Sequence, residues 1–66
     1  MSIYERVMDY CDEEDIPVSK LEKICGIGNG TITKWGKFGV VPSIGSLVKI
    51  SKKTGKPLTY WLGGNE

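Results

Sequence analysis

The sequence predicts an all-α domain, a bundle of five short helices. Three observations lead there. Apolar residues recur at helical spacing in one segment after another, and no stretch holds a convincing period of two. Gly, Pro and Ser divide the chain at short intervals, with cap residues where helices should start. The 66 residues suffice for one domain, spanning 1–66, with one small core; a chain of this size buries only about 60% of its unfolded surface.

The first helix is predicted over Ser2–Asp15. Ser2 and Glu5 form a capping box, in which the hydroxyl accepts from a first-turn amide and the carboxylate reaches back. Ile3, Tyr4, Val7, Met8 and Cys11 then share one stripe. The acidic run Asp12–Asp15 suits a helix C-terminus poorly, and Pro17 disfavours helix at Ile16. The second helix is expected over Ser19–Cys25, with Ser19 and Glu22 as another capping box. Leu21, Ile24 and Cys25 form its buried side, and Gly26 is the left-handed terminator.

The third helix is placed over Asn29–Phe38, capped by Asn29 or Gly28. Ile32 and Trp35, three apart, share its inner face, while Thr31, Thr33 and Lys34 project elsewhere. The fourth follows Pro42, with Ser43 as cap, and ends at Gly55. Ile44, Leu47 and Ile50 face inward, and Lys49, Lys52 and Lys53 face out. The fifth runs Leu58–Leu62, with Pro57 as entry and Gly63 as exit. Tyr60 and Trp61 either close the core or form a dimer contact.

Composition narrows the function. There is no His, and two Cys are too few for a closed zinc site. Cys11 and Cys25 lie on apolar faces, as expected of reduced core thiols in a cytoplasmic protein rather than of a disulfide. No cationic start precedes an apolar run, and no apolar stretch approaches membrane-spanning length. The carboxylates gather at one helix end and no nucleophile has an adjacent base, which speaks against an enzyme. Gly26, Gly28 and Gly30 imitate part of a phosphate loop but lack the preceding strand. No cofactor, metal or small-molecule substrate is implied. Net charge is only +1, but it is unevenly spread. Glu5, Asp9, Asp12, Glu13, Glu14 and Asp15 oppose Arg6 alone in residues 1–18, whereas the rest carries eight Lys against Glu22 and Glu66. One region thus attracts a polyanion and another does not, unless these are ordinary solvated faces.

The informative stretch is SKLEKICGIGNGTITKWG, residues 19–36. A short helix, a Gly turn and a second short helix with Ile32 and Trp35 inside make the construction of a helix-turn-helix. Gly26 supplies the positive φ, and Ile27 would plug the gap between the helices. The pieces SKLEK, GIGNGTITKW, PSIGSLVKIS and PLTYWLGG together resemble the Cro and repressor (XRE-like) class of phage and bacterial transcriptional regulators, over nearly the whole chain. The resemblance implies a lambda-repressor-like domain that binds double-stranded DNA as a homodimer on a two-fold operator, in a phage or prophage setting. The start at Met1 suits a complete, Cro-sized product.

The family's reading positions fall here on Asn29, Gly30, Thr33 and Lys34. Asn suits adenine, Lys suits guanine and a Thr methyl suits thymine. Phosphate contacts are implied for Thr31, for the amides near Ser19 and Lys20, for Lys37 and for the amides around Ser43. Asn29 is equally well a mere cap. There are departures from the family pattern. Glu22 stands where a small residue is usual, Gly30 where a reading side chain is common, and Gly28 where Ser or Thr often caps. The loop 36–41 is poor in basic residues. A different reading remains open: a protein-interaction module that keeps the fold without reading DNA.

Overall fold

In the computed structural model, which describes residues 2–62, the helices are α1 (Ile3–Glu14), α2 (Val18–Cys25), α3 (Thr31–Lys37), α4 (Ile44–Thr54) and α5 (Leu58–Leu62), with no strand among the described residues. The α1 capping box forms as expected: Ser2 Oγ accepts from Glu5 N at 3.1 Å, and Glu5 accepts from Ser2 N at 2.9 Å. The helix stops one residue short of the expected Asp15, which takes a left-handed conformation at φ 56°. A short polar side chain tolerates that region, and the Ile16 amide then donates back to the Cys11 carbonyl at 2.9 Å.

The second capping box does not form. α2 begins at Val18, one residue earlier than expected, with Pro17 as N-cap and no side-chain cap. The Pro17 carbonyl accepts from the Lys20 and Leu21 amides at 3.0 and 3.3 Å. Ser19 is therefore already inside the first turn, and Glu22 lies two positions further into the helix than a capping box allows. Successive helical residues turn by about 100°, so Leu21, Cys25 and Glu22 span one continuous arc. That arc is the buried one. Ile24 lies off its edge and is 47% exposed, contrary to expectation.

α3 starts at Thr31, two residues later than expected. Its N-cap is Gly30 at φ 87°, so neither Asn29 nor Gly28 caps it. α4 is capped by Ser43, whose Oγ accepts from the Ser46 amide at 3.2 Å, and Gly55 ends it at φ 78°. Leu47 and Ile50 are buried, but Ile44 is 61% exposed. Periodicity identifies the inner side of a helix, not how far along it the core reaches. α5 follows Pro57 as expected; its expected exit, Gly63, lies outside the described residues.

The core joins Val7 and Cys11 of α1, Leu21 and Cys25 of α2, Ile27, Ile32, Trp35, Leu47, Ile50 and Trp61. α1 packs on α2, α3 and α5, α2 on α3 and α4, and α4 on α5. Ile27 fills the junction between α2 and α3, and Trp61 closes the core. Cys11 and Cys25 are free and buried. Burial pushes both thiols above their usual range; nearby Cys25 and Glu22 add to this for Cys11, and Lys53 opposes it for Cys25. No helix among the described residues is long and apolar enough to cross a membrane.

One glycine holds α1 against α3. A Cβ on Gly36 would run into the Tyr4 ring, which lies over that turn of α3. In an exposed helix Gly→Ala gains up to about 1 kcal/mol. Here we expect Gly36→Ala to lower stability by about 1–2 kcal/mol, because the ring is displaced. In a Tyr4→Ala background the same change should become stabilising. A double-mutant cycle by urea unfolding checks this; additive effects would remove the steric account.

Candidate functional site

The sequence stretch singled out above forms one side of the molecule. α2 ends at Gly26, whose φ of 73° turns the chain, and its amide donates to the Glu22 and Lys23 carbonyls. Ile27 drops into the core, Gly28 and Asn29 stay exposed, and α3 departs from Gly30. Between α2 and the turn lies a hollow of about 600 Å³ lined by Ser19, Lys20, Glu22, Lys23, Ile27 and Asn29. It gathers three of the residues expected at the site: Ser19, Lys20 and Asn29. Lys23, which sequence reasoning did not single out, joins them on the rim.

The remaining candidates divide. Thr33, Lys34 and Lys37 are exposed on α3 and do not line the hollow. Thr31 is half-buried, and its Oγ1 is turned back over the turn, 3.1 Å from where a Gly28 Cβ would stand. Ser43 is exposed at the start of α4, away from the hollow, with its hydroxyl engaged by Ser46. The Lys20 amide, expected to be open to an anion, already donates to Pro17, so Lys20 can contribute only its side chain.

The unforeseen residue is Glu22. The residue is 2% exposed. One carboxylate oxygen accepts from the Gly30 amide at 2.9 Å and the other from the Ile32 amide at 2.8 Å. A buried carboxylate is tolerable only with such partners. It also meets the positive end of the α3 dipole. Two consequences follow for the neighbouring residues. The Gly30 amide is not open to a ligand, and the amides that an Asn29 cap would serve are already taken. Asn29 is left exposed on the rim with no capping role. The sequence carries a partial signal for Glu22: it adjoins the apolar arc of α2 on the Cys25 side, and Gly28 and Gly30 before the third helix offer no side-chain cap, but the pairing itself spans eight and ten residues.

The electrostatic asymmetry read from the sequence persists in space. Lys20, Lys23, Lys34 and Lys37 are exposed on α2 and α3, whereas Asp9, Asp12, Glu13 and Glu14 are exposed on α1. Among the described residues, no group of three or more His, Cys, Asp or Glu is placed to hold a metal ion. Comparison with protein-family models, with curated proteins and with solved structures finds no match to this chain.

Proposed function

We propose that this chain is a helix-turn-helix regulator of the Cro and repressor kind, which binds double-stranded DNA in a sequence-specific way and represses by occluding a promoter. The observation that carries the reading is α3 itself. It is a seven-residue helix, carried on α2 across a Gly-rich turn, and it buries Ile32 and Trp35 while exposing Thr33 and Lys34. A helix of that size with one face free fits a major groove. Asn29 on the rim reads adenine, Lys34 reads guanine O6 and N7, and the Thr33 methyl meets thymine. Gly30 contributes close approach only. Lys20, Lys23 and Lys37 lie beside them and neutralise phosphates, positioning the domain without specifying sequence.

The regulator acts as a dimer on half-sites about 34–36 Å apart. Trp61 is fully buried in the monomer, which favours core closure over a dimer contact for this residue. Phe38, Val40 and Val41, in the segment that follows α3, are large apolar side chains left exposed. The test is selection from random duplexes at one fixed salt concentration, since phosphate contacts make affinity steeply salt-dependent. Enrichment of a two-fold symmetric motif supports the proposal. A folded chain that enriches nothing overturns it and favours the protein-interaction reading.

A further inference from the structure

We infer that Glu22 is a positioning residue for sequence discrimination: its carboxylate, reaching from α2 to the Gly30 and Ile32 amides, fixes how α3 is presented. The inference rests on the DNA-reading proposal above and adds to it the group that holds the reading helix in register.

The need for such a group follows from local chemistry. The first amides of a helix have no intrahelical acceptor. The N-cap of α3 is a glycine at φ 87°, with no side chain to offer, and the turn before it contains a second glycine. No side chain of the turn caps α3, whose first amide donates to the Gly28 carbonyl at 3.1 Å, and seven residues are too few to be stable alone. Glu22 supplies the missing acceptor from another helix. It uses both oxygens on two amides two residues apart, at 2.9 and 2.8 Å. The core holds α3 by Ile32 and Trp35 on its inner face, and the two Glu22 contacts add a point and a direction at its N-terminal end. The anchor is 2% exposed, so DNA does not compete for it, and it sits at the root of the helix whose next turn carries Thr33 and Lys34. A small rotation at this root is magnified at those side chains, and base recognition tolerates little misplacement.

The clamp has a second consequence. With a carboxylate on its first amides, α3 offers no helix-terminus site to a phosphate. Backbone attraction then falls to lysine side chains, including Lys20 and Lys23, which line the same hollow as Glu22. Glu22 therefore favours specific binding through geometry and opposes non-specific binding through its charge.

The two contributions separate in Glu22→Gln. The amide side chain keeps one acceptor, but it turns an N–H donor toward the other backbone N–H, so one bond of the pair is lost. We expect the affinity ratio between the selected operator and a random duplex to fall at least tenfold, with random-duplex affinity unchanged or a few-fold tighter at the same salt. A purely stabilising role lowers both affinities together, in proportion to the folded fraction, and leaves the ratio intact. A ratio within twofold of the parent overturns the inference.

Amide hydrogen exchange gives a second readout without DNA. Gly30 and Ile32 should exchange at least tenfold faster in the variant, while Val7 and Leu47 amides in the core do not change. Unchanged exchange at 30 and 32 also overturns the clamp. Glu22→Asp, which keeps the charge but cannot span both amides, gives the same comparison if the Gln variant does not fold. If the parent itself selects no motif, the DNA-reading proposal fails, and exchange at Gly30 and Ile32 still decides whether Glu22 is the clamp.

Discussion

Lys34→Glu is expected to weaken binding to the selected operator by two orders of magnitude or more while leaving the protein folded. Lys34 is exposed on α3, one turn on from its N-cap. Loss of a good base contact costs about 1–3 kcal/mol of discrimination, or roughly 5- to 150-fold at about 1.4 kcal/mol per decade. Lys34→Ala should show that loss alone. The Glu variant adds a carboxylate facing guanine acceptors and flanking phosphates, which is repulsive on both counts. Its affinity should therefore fall well below that of the Ala variant. The fold should change little, because exposed substitutions usually stay within about 0.5 kcal/mol. Reversal near the C-terminal end of a helix dipole adds a few tenths more, and the expected drop in Tm is below about 8 °C. Fluorescence anisotropy on operator and random duplexes, with a thermal melt, provides the comparison. Undiminished operator binding by Lys34→Glu would remove α3 from the role of recognition helix.

Much of the fold was legible because its signals are local. Ser2 with Glu5, Ser43 as a cap, the left-handed Gly26 and the end of α4 at Gly55 act within one turn of chain, and each appears where the sequence puts it. Ile32, Trp35, Leu47 and Ile50 were legible because three-residue spacing puts each pair on one face of one helix. The failures share a cause. Ser-x-x-Glu occurs twice, at 2–5 and at 19–22, and only the first acts as a capping box. At the second, the N-cap is Pro17 rather than Ser19, so the same four letters lie two positions further into the helix. Glu22 then faces inward and finds acceptorless amides eight and ten residues away. No window of a few residues contains that answer. α3 starts past Asn29 because Gly30 takes the N-cap position, which leaves Asn29 a rim residue and not a cap. Ile24 and Ile44 were misplaced because an apolar residue near a buried arc is not necessarily under a neighbouring helix.

Trp61→Ala should produce the largest loss of stability. The side chain is fully buried. It stands edge-on to Tyr10 at 5.6 Å and to Tyr60 at 4.9 Å between ring centroids. α5 has only five residues, so it has no independent helical stability and is held by this ring against α1 and α4. Truncating a buried Trp costs about 3–5 kcal/mol. A domain of this length has roughly 3–10 kcal/mol in all, at about 0.05–0.15 kcal/mol per residue. The Ala variant should therefore be largely unfolded, or melt at least about 12 °C lower. Trp61→Phe distinguishes packing from polar contributions. The indole N–H has no hydrogen-bond partner among the described residues, so Phe removes volume without breaking a hydrogen bond. It should cost about 1–2 kcal/mol, the range of a partial core truncation, and keep the fold. Circular dichroism melts of the two variants test this. A Phe variant as damaged as the Ala variant would mean that the N–H, not the ring, holds α5. A Phe variant that is fully stable but loses operator binding would restore Trp61 as a contact between copies, which its burial in the monomer argues against.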